Sequence, residues 1–237
     1  MERQFLIKLF IIFILLTGCQ QIEITNTDKV ISDNKNIENN IPNEASSSYL
    51  NIWQYLIINS IPNDEVINEQ VLFYMNGHIK DIEKFTEYLN DSYYFIYFVI
   101  TELEKANLPL EFALLPYIES NYDPFSISSS GAVGIWQFMP RTGKLYELEK
   151  TWWNEDRHDP FQSTIAAVNY LKYLYKRFDE NIYLTLAAYN AGPSLLDRRI
   201  NRNKRRGIDI DFWSLDLPNQ TKNYVPKFIA LKELVYN

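Results

Sequence analysis

A single carboxylate, Glu119, stands where a run of apolar residues (Phe112, Ala113, Leu114, Leu115, Ile118) gives way to a polar loop. The loop returns through Gly131 and Gly134 to a second apolar and aromatic run, Ile135-Trp136-Gln137-Phe138-Met139. A carboxyl group between two apolar surfaces has a destabilised anion, so it holds its proton to a higher pH and can donate it near neutrality. The two glycines allow sharp turns and close backbone approach. Ser126, Ser128, Ser129, Ser130 and Gln137 add uncharged hydrogen-bonding groups. One proton donor facing neutral polar groups and rings suits chemistry on a sugar.

Three blocks carry a family resemblance. They are Glu119-Ser120, then Gly131-Ala132-Val133-Gly134-Ile135-Trp136-Gln137-Phe138-Met139-Pro140, then Ala187-Ala188-Tyr189-Asn190-Ala191-Gly192. In this order they resemble the catalytic signature of lytic transglycosylases with a goose-lysozyme-like catalytic domain, and the likeness runs from about Trp53 to the C-terminus. The resemblance implies a mainly α fold: a compact helical catalytic domain of the lysozyme-like α+β superfamily with little or no sheet. It also implies cleavage of the MurNAc–GlcNAc bond of peptidoglycan by one carboxylate, Glu119, acting as acid and then as base, with a 1,6-anhydro product and no cofactor. Substrate-binding roles fall by resemblance on Ser128, Gln137, Tyr189, Asn190 and Tyr224, the alternative for each being burial and packing. Two positions depart from the family pattern. Val133 stands where a small serine is usual, which would reshape one cleft wall, and Gln220 stands where relatives commonly have Glu. A hydrolase would need a second carboxylate, for which Glu111 and Asp123 are the candidates, although Asp123 before Pro124 reads better as a turn-former. A hydrolase of the same fold and a non-catalytic wall-binding lipoprotein are the competing functions.

The 237 residues, 46% hydrophobic and 15% aromatic, suffice for one globular core with appendages. A net charge of -7 and a pI near 5.0 argue against nucleic-acid binding. One cysteine excludes an intramolecular disulfide framework, and His78 and His158 show no metal-ligand spacing, so no metal is expected. The cysteine has another use. Arg3 and Lys8 flank a greasy run, uninterrupted from Leu9 to Leu16, that is shorter than the ~20 residues of a membrane span. Leu16-Thr17-Gly18-Cys19 resembles a bacterial lipoprotein box, implying cleavage before Cys19 and lipidation of its thiol, hence a membrane anchor. A plain signal peptide is the alternative. Gln20 after the cysteine favours, by analogy, a periplasmic protein on the outer membrane. Residues 1–18 read as a signal peptide, 19–48 as a polar tether and 49–237 as the folded domain.

Within that domain, Asp64 reads as the cap of a helix to about Tyr74, and Asn90 or Asp91 as the cap of the next. Tyr93, Tyr94 and Tyr97 read as helix packing with hydroxyls at the edge, with a sugar platform as the alternative. Pro116 predicts a bend just before Glu119. Phe161 to Phe178 reads as an amphipathic helix with Ile165, Val168, Leu171, Tyr175 and Phe178 on one stripe. Tyr183 to Ala191 is a short apolar helix stopped by Gly192 and Pro193. The run from Arg198 to Arg206 carries six positive charges in nine residues. It reads as a solvated loop, with attraction to anionic lipid or wall carboxylates as the alternative. Gln220 to Tyr236 reads as a last helix, disturbed at Pro226.

Overall fold

A computed structural model of the chain describes residues 51–60 and 67–236. The readings at Asp64, at the lipoprotein box and Cys19, and over the segments 1–18 and 19–48 lie outside the described residues. The described chain is helical. In order come α1 (Asn51–Asn59), α2 (Glu69–Lys80), α3 (Ile82–Asp91), α4 (Tyr93–Lys105), a 3-10 turn (Leu110–Leu114) and α5 (Leu115–Ser120). Then follow α6 (Pro140–Leu145), α7 (Pro160–Arg177), α8 (Ile182–Ala191), α9 (Pro193–Arg206) and α10 (Asn219–Tyr236). Short 3-10 turns at Asp156–His158 and Phe212–Ser214 complete the set. Extended pairing among the described residues is confined to isolated antiparallel bridges at Ile127–Val133, Val133–Phe138 and Lys150–Glu155. The mainly α expectation holds.

Local chemistry explains the boundaries. The Asn68 side chain accepts from the Val71 amide at 3.0 Å and starts α2. Asp159 takes the Phe161 and Gln162 amides at 2.8 and 3.0 Å, and Pro160 supplies a preset first turn for α7. Asn181 accepts from the Leu184 amide at 2.9 Å to start α8, which ends at Gly192 with φ of 82°. Residues Leu184 to Ala188 are all buried, so α8 is covered around its whole circumference and forms the centre of the core, with the Thr185 hydroxyl satisfied by the Asn181 carbonyl at 2.8 Å. Ala187 and Ala188 are fully covered. At such positions extra methylenes overpack a core at a cost of roughly 1–3 kcal/mol. Helices α10, α9 and α7 pack on α8, while α10 also lies along α2 and α4 packs on α7.

Several local expectations need correction. Asn90 and Asp91 end α3 and cap nothing. The next helix begins at Tyr93 after Ser92, whose αR backbone lacks the extended geometry of a cap and whose hydroxyl donates back to the Leu89 carbonyl. Tyr94 and Tyr97 are exposed, so neither packs a helix. Ile165 is 43% exposed, because the buried side of α7 is centred on Ala167, Leu171 and Leu174. The bend expected at Pro116 takes the form of a change of helix type, from the 3-10 turn into α5, with the proline in the first turn where its missing donor costs nothing. The basic run is not a loop. It forms most of α9, anchored by buried Leu196 and Asn203 and closed by Gly207 in the left-handed region. Asn203 donates to the Asp209 and Ser214 carbonyls at 2.8 and 2.9 Å.

Candidate active site

Glu119 is the penultimate residue of α5, where the chain must leave a helix and turn back. Asn121 and Tyr122 supply the reversal with φ of 54° and 62°. The buried Tyr122 hydroxyl secures it by donating to the Ala113 carbonyl at 2.5 Å. Ser120 donates to the Ile135 carbonyl at 3.1 Å, tying the end of α5 to the returning loop.

That loop is built around four side chains. The Ser128 hydroxyl accepts from the Ala132 amide at 2.9 Å and lies 3.0 Å from the Ser130 hydroxyl. Gln137, itself at φ of 48°, donates to the Gly134 and Ser126 carbonyls at 2.9 and 3.3 Å. Buried Trp136 donates to the Thr164 hydroxyl on α7 at 2.9 Å. Arg157, 3% exposed, donates to the Gly131 and Phe138 carbonyls at 3.0 and 2.8 Å and pairs through both remaining nitrogens with Glu155. That pairing holds the Glu155 carboxyl down at about 2. At Gly134, φ is 78° and any Cβ would sit 1.9 Å from the Arg157 carbonyl oxygen, so the loop and the Arg157 turn meet only over glycine. His158 bonds the Pro124 carbonyl at 2.7 Å and is structural.

Against this frame α8 and α10 bring their tyrosines. The buried Tyr224 hydroxyl donates to Glu119 Oε1 at 2.5 Å. Tyr189 donates to the Trp136 carbonyl at 2.8 Å, within the field of the carboxylate. Burial pushes the Glu119 carboxyl up from an ordinary 4.5 to about 7, against the opposing pull of the Tyr224 hydroxyl and the Lys227 ammonium. Burial and the carboxylate's own charge raise both tyrosines well above 10, so they remain donors at any physiological pH.

The six expected residues divide into two groups. Glu119, Tyr189 and Tyr224 converge. Ser128 and Gln137 shape the loop, and Asn190 accepts from buried Thr221 at 2.9 Å, fixing α8 to α10. Val133 is buried within the loop, while Gln220 is exposed one turn before Tyr224. Asp123 accepts from the Phe125 amide at 2.8 Å and is a turn-former. Glu111 is fully buried, 3.7 Å from Lys232, as half of an interior ion pair. Lys227 and Arg157 escaped the sequence reading. Lys227 could have been found from its place three residues after Tyr224, on the same helix face. Arg157 pairs locally only with Glu155, and the loop carbonyls it holds lie 19 and 26 residues away in sequence.

A family profile described as Transglycosylase SLT domain matches residues 97–212, which include Glu119, the loop and Tyr189. The membrane-bound lytic murein transglycosylase D of Escherichia coli (strain K12) is 40% identical over 179 residues, 75% of this chain and 38% of that protein. Residues 97–212 belong to the transglycosylase SLT domain family. The protein of the same name from Escherichia coli O6:H1 matches to the same degree. The membrane-bound lytic murein transglycosylase F of Maricaulis maris is 31% identical over 121 residues, 47% of this chain and 25% of that protein. This SLT chain thus spans well under half the length of these relatives. Among solved structures, the 70 kDa soluble lytic transglycosylase of Escherichia coli superposes at a TM-score of 0.48 with 21% identity, over 77% of this chain and 32% of that one. Tyr224 and Lys227 lie beyond the SLT match, on α10.

Proposed function

We propose that the chain is a peptidoglycan lytic transglycosylase that cleaves the β-1,4 bond between N-acetylmuramic acid and N-acetylglucosamine. The observation that carries this is one carboxyl group, set at about 7 by burial and hydrogen-bonded through a single oxygen to a phenol that stays protonated. Tyr224 occupies Oε1, so the acid proton sits on Oε2. In the first step Oε2 donates that proton to the bridging oxygen as the C1–O bond breaks. The carboxylate left behind is stabilised by Tyr224 and Lys227. In the second step it takes the proton of the muramic C6 hydroxyl while that oxygen bonds to C1. The product is a 1,6-anhydro end, no water is consumed, and Glu119 finishes protonated as it began. An acid that must give and take a proton in one cycle works best with a pKa near the ambient pH. Opposed burial and hydrogen bonding supply that value here. The two acids that could have served a hydrolase are engaged elsewhere, Glu111 with Lys232 and Asp123 in a turn, which favours the single-acid route.

Cys19 is the lipid attachment point in this reading, holding the enzyme on the periplasmic face of the outer membrane, in keeping with the membrane-bound names of the relatives. The deciding experiment is mass spectrometry of muropeptides released from purified sacculi. Anhydro ends, lighter than reducing ends by one water, are expected. Reducing ends would replace this reading with hydrolysis.

A further inference from the structure

Beside Glu119 a hollow of about 420 Å³ opens between α2, α3, α5 and α10. That volume falls in the range of roughly 300–1,000 Å³ usual for small-ligand clefts. Ile118 on α5 and Asn121 just past its end flank Glu119 and Ser120 in the chain and form one side, and Lys227, whose charge acts on Glu119, forms another. Its inner surface is aromatic, with Phe85 and Tyr117 packed edge to face at 5.4 Å and Tyr74, His78 and Tyr88 around them. Burial and the Lys227 charge keep His78 below its ordinary value, so it is neutral at neutral pH. The charged groups are two lysines and one aspartate: Lys84 on α3, Lys227 on α10 and Asp81 between α2 and α3, all exposed.

The placement of the lysines discriminates between occupants. Lys227 sits over the Tyr74 ring at 5.4 Å and Lys84 over the Tyr88 ring at 5.6 Å. The two ring faces on which a sugar would stack therefore carry ammonium groups. The hollow presents two cations and one anion to whatever enters, in a chain whose net charge is -7. A neutral glycan has no use for that pattern. A short peptide with free carboxylates and an amino group matches it, carboxylates to Lys84 and Lys227 and ammonium to Asp81. We infer that this hollow binds the peptide carried by the muramic acid on which Glu119 acts, an assignment that rests on the proposed function for the identity of the glycan. Most of its lining, from α2, α3 and α10, lies outside the segment 97–212 that matches the family. The hollow is thus a place where this chain can set its own substrate preference.

The test uses the full chain carrying Glu119→Gln, so that binding is read without turnover, and two soluble probes: peptide-bearing glycan strands and the same strands stripped by an amidase, with the freed lactyl carboxylates capped as methyl amides. The peptide-bearing strands should bind several-fold tighter. Adding Lys84→Met should remove most of that advantage, a change of roughly fivefold for one exposed charge contact, and leave the affinity for stripped strands unaltered. Asp81→Asn, which keeps side-chain volume, should give a smaller loss of the same kind. Equal binding of both probes by the Glu119→Gln chain would overturn the inference. So would a Lys84→Met loss of equal size on both probes, which would make the hollow a sugar subsite. Failure of the proposed function shows separately, as a wild-type chain that releases no anhydro ends from either substrate.

Discussion

Glu111 and Glu119 lie eight residues apart on one short helical stretch, and each faces a lysine of α10. Glu111 is fully covered and sits 3.7 Å from Lys232, itself 2% exposed. Glu119 is half-buried, takes a hydrogen bond from the phenol of Tyr224, and feels Lys227 only as an exposed charge. The same residue type against the same helix has become half of a buried ion pair in one place and a proton reservoir in the other. The difference is the partner. An ammonium in direct contact compensates a buried carboxylate, and the pair then serves structure. A phenol compensates it only in part, so burial wins and the proton is retained to about 7. Five residues of α10 thus separate a strut from the neighbour of the proposed catalyst.

Breaking each member should give opposite phenotypes. Glu119→Gln should lower anhydro-muropeptide release by at least 100-fold, in line with the roughly 10²–10⁴-fold contribution of a positioned acid–base group, without loss of folding. Its stability should report the pKa. Because the folded value lies above the unfolded one, the wild-type acid contributes fully below about pH 4.5 and loses that contribution as pH rises through about 7. The melting-temperature difference should therefore move in favour of the Gln variant between pH 5 and pH 8, as thermal scans at the two pH values would show. Lys232→Met should do the reverse. Leaving Glu111 buried and uncompensated costs roughly 3–5 kcal/mol, read in chemical denaturation, while the folded fraction keeps its specific activity.

The Glu119 side of this contrast was legible in the sequence, because local patterns decided it. The apolar run before Glu119, the glycines of the loop and the three motif blocks are contiguous signals, and Gly192 with Pro193 marked the end of α8. What stayed hidden depends on distance along the chain. Arg157 joins Glu155 to carbonyls at 131 and 138, and Lys232 meets Glu111 across 121 residues. No window of sequence contains those contacts. The α9 error had another cause. Arg and Lys are good helix formers, and the dense charge reads as a solvated loop because Leu196, Ile200 and Asn203, which hold the helix down, are sparse among the arginines.

The phenol can be removed with little change of shape. Tyr224→Phe deletes the hydrogen bond to Oε1, a contact to an ionised group worth roughly 1.5–3 kcal/mol, and so destabilises the carboxylate formed once the proton has been donated. Turnover should fall about 10- to 100-fold. The alkaline limb of the rate profile, near pH 7 in the wild type, should move to higher pH, because a group that favoured the anion is gone. A limb that moved downward would mean that Tyr224 supports the neutral acid instead.

Lys227 should give the smallest effect, and its direction is fixed by the same reasoning. Its ammonium favours the Glu119 carboxylate, after the Tyr224 bond in weight, and it is exposed to screening water. Lys227→Met should therefore also move the alkaline limb upward, but by less than Tyr224→Phe, with a rate loss of no more than about fivefold, as expected of an exposed charge. Peptide-free strands are the substrate for this measurement, since they remove any role of Lys227 in holding a peptide. Added salt should reproduce part of the shift in the wild type and none in the variant, because screening can weaken only a charge that is present. If salt moved both profiles equally, the acid would be tuned by burial and Tyr224 alone, and the contrast between the two lysines of α10 would reduce to contact against no contact.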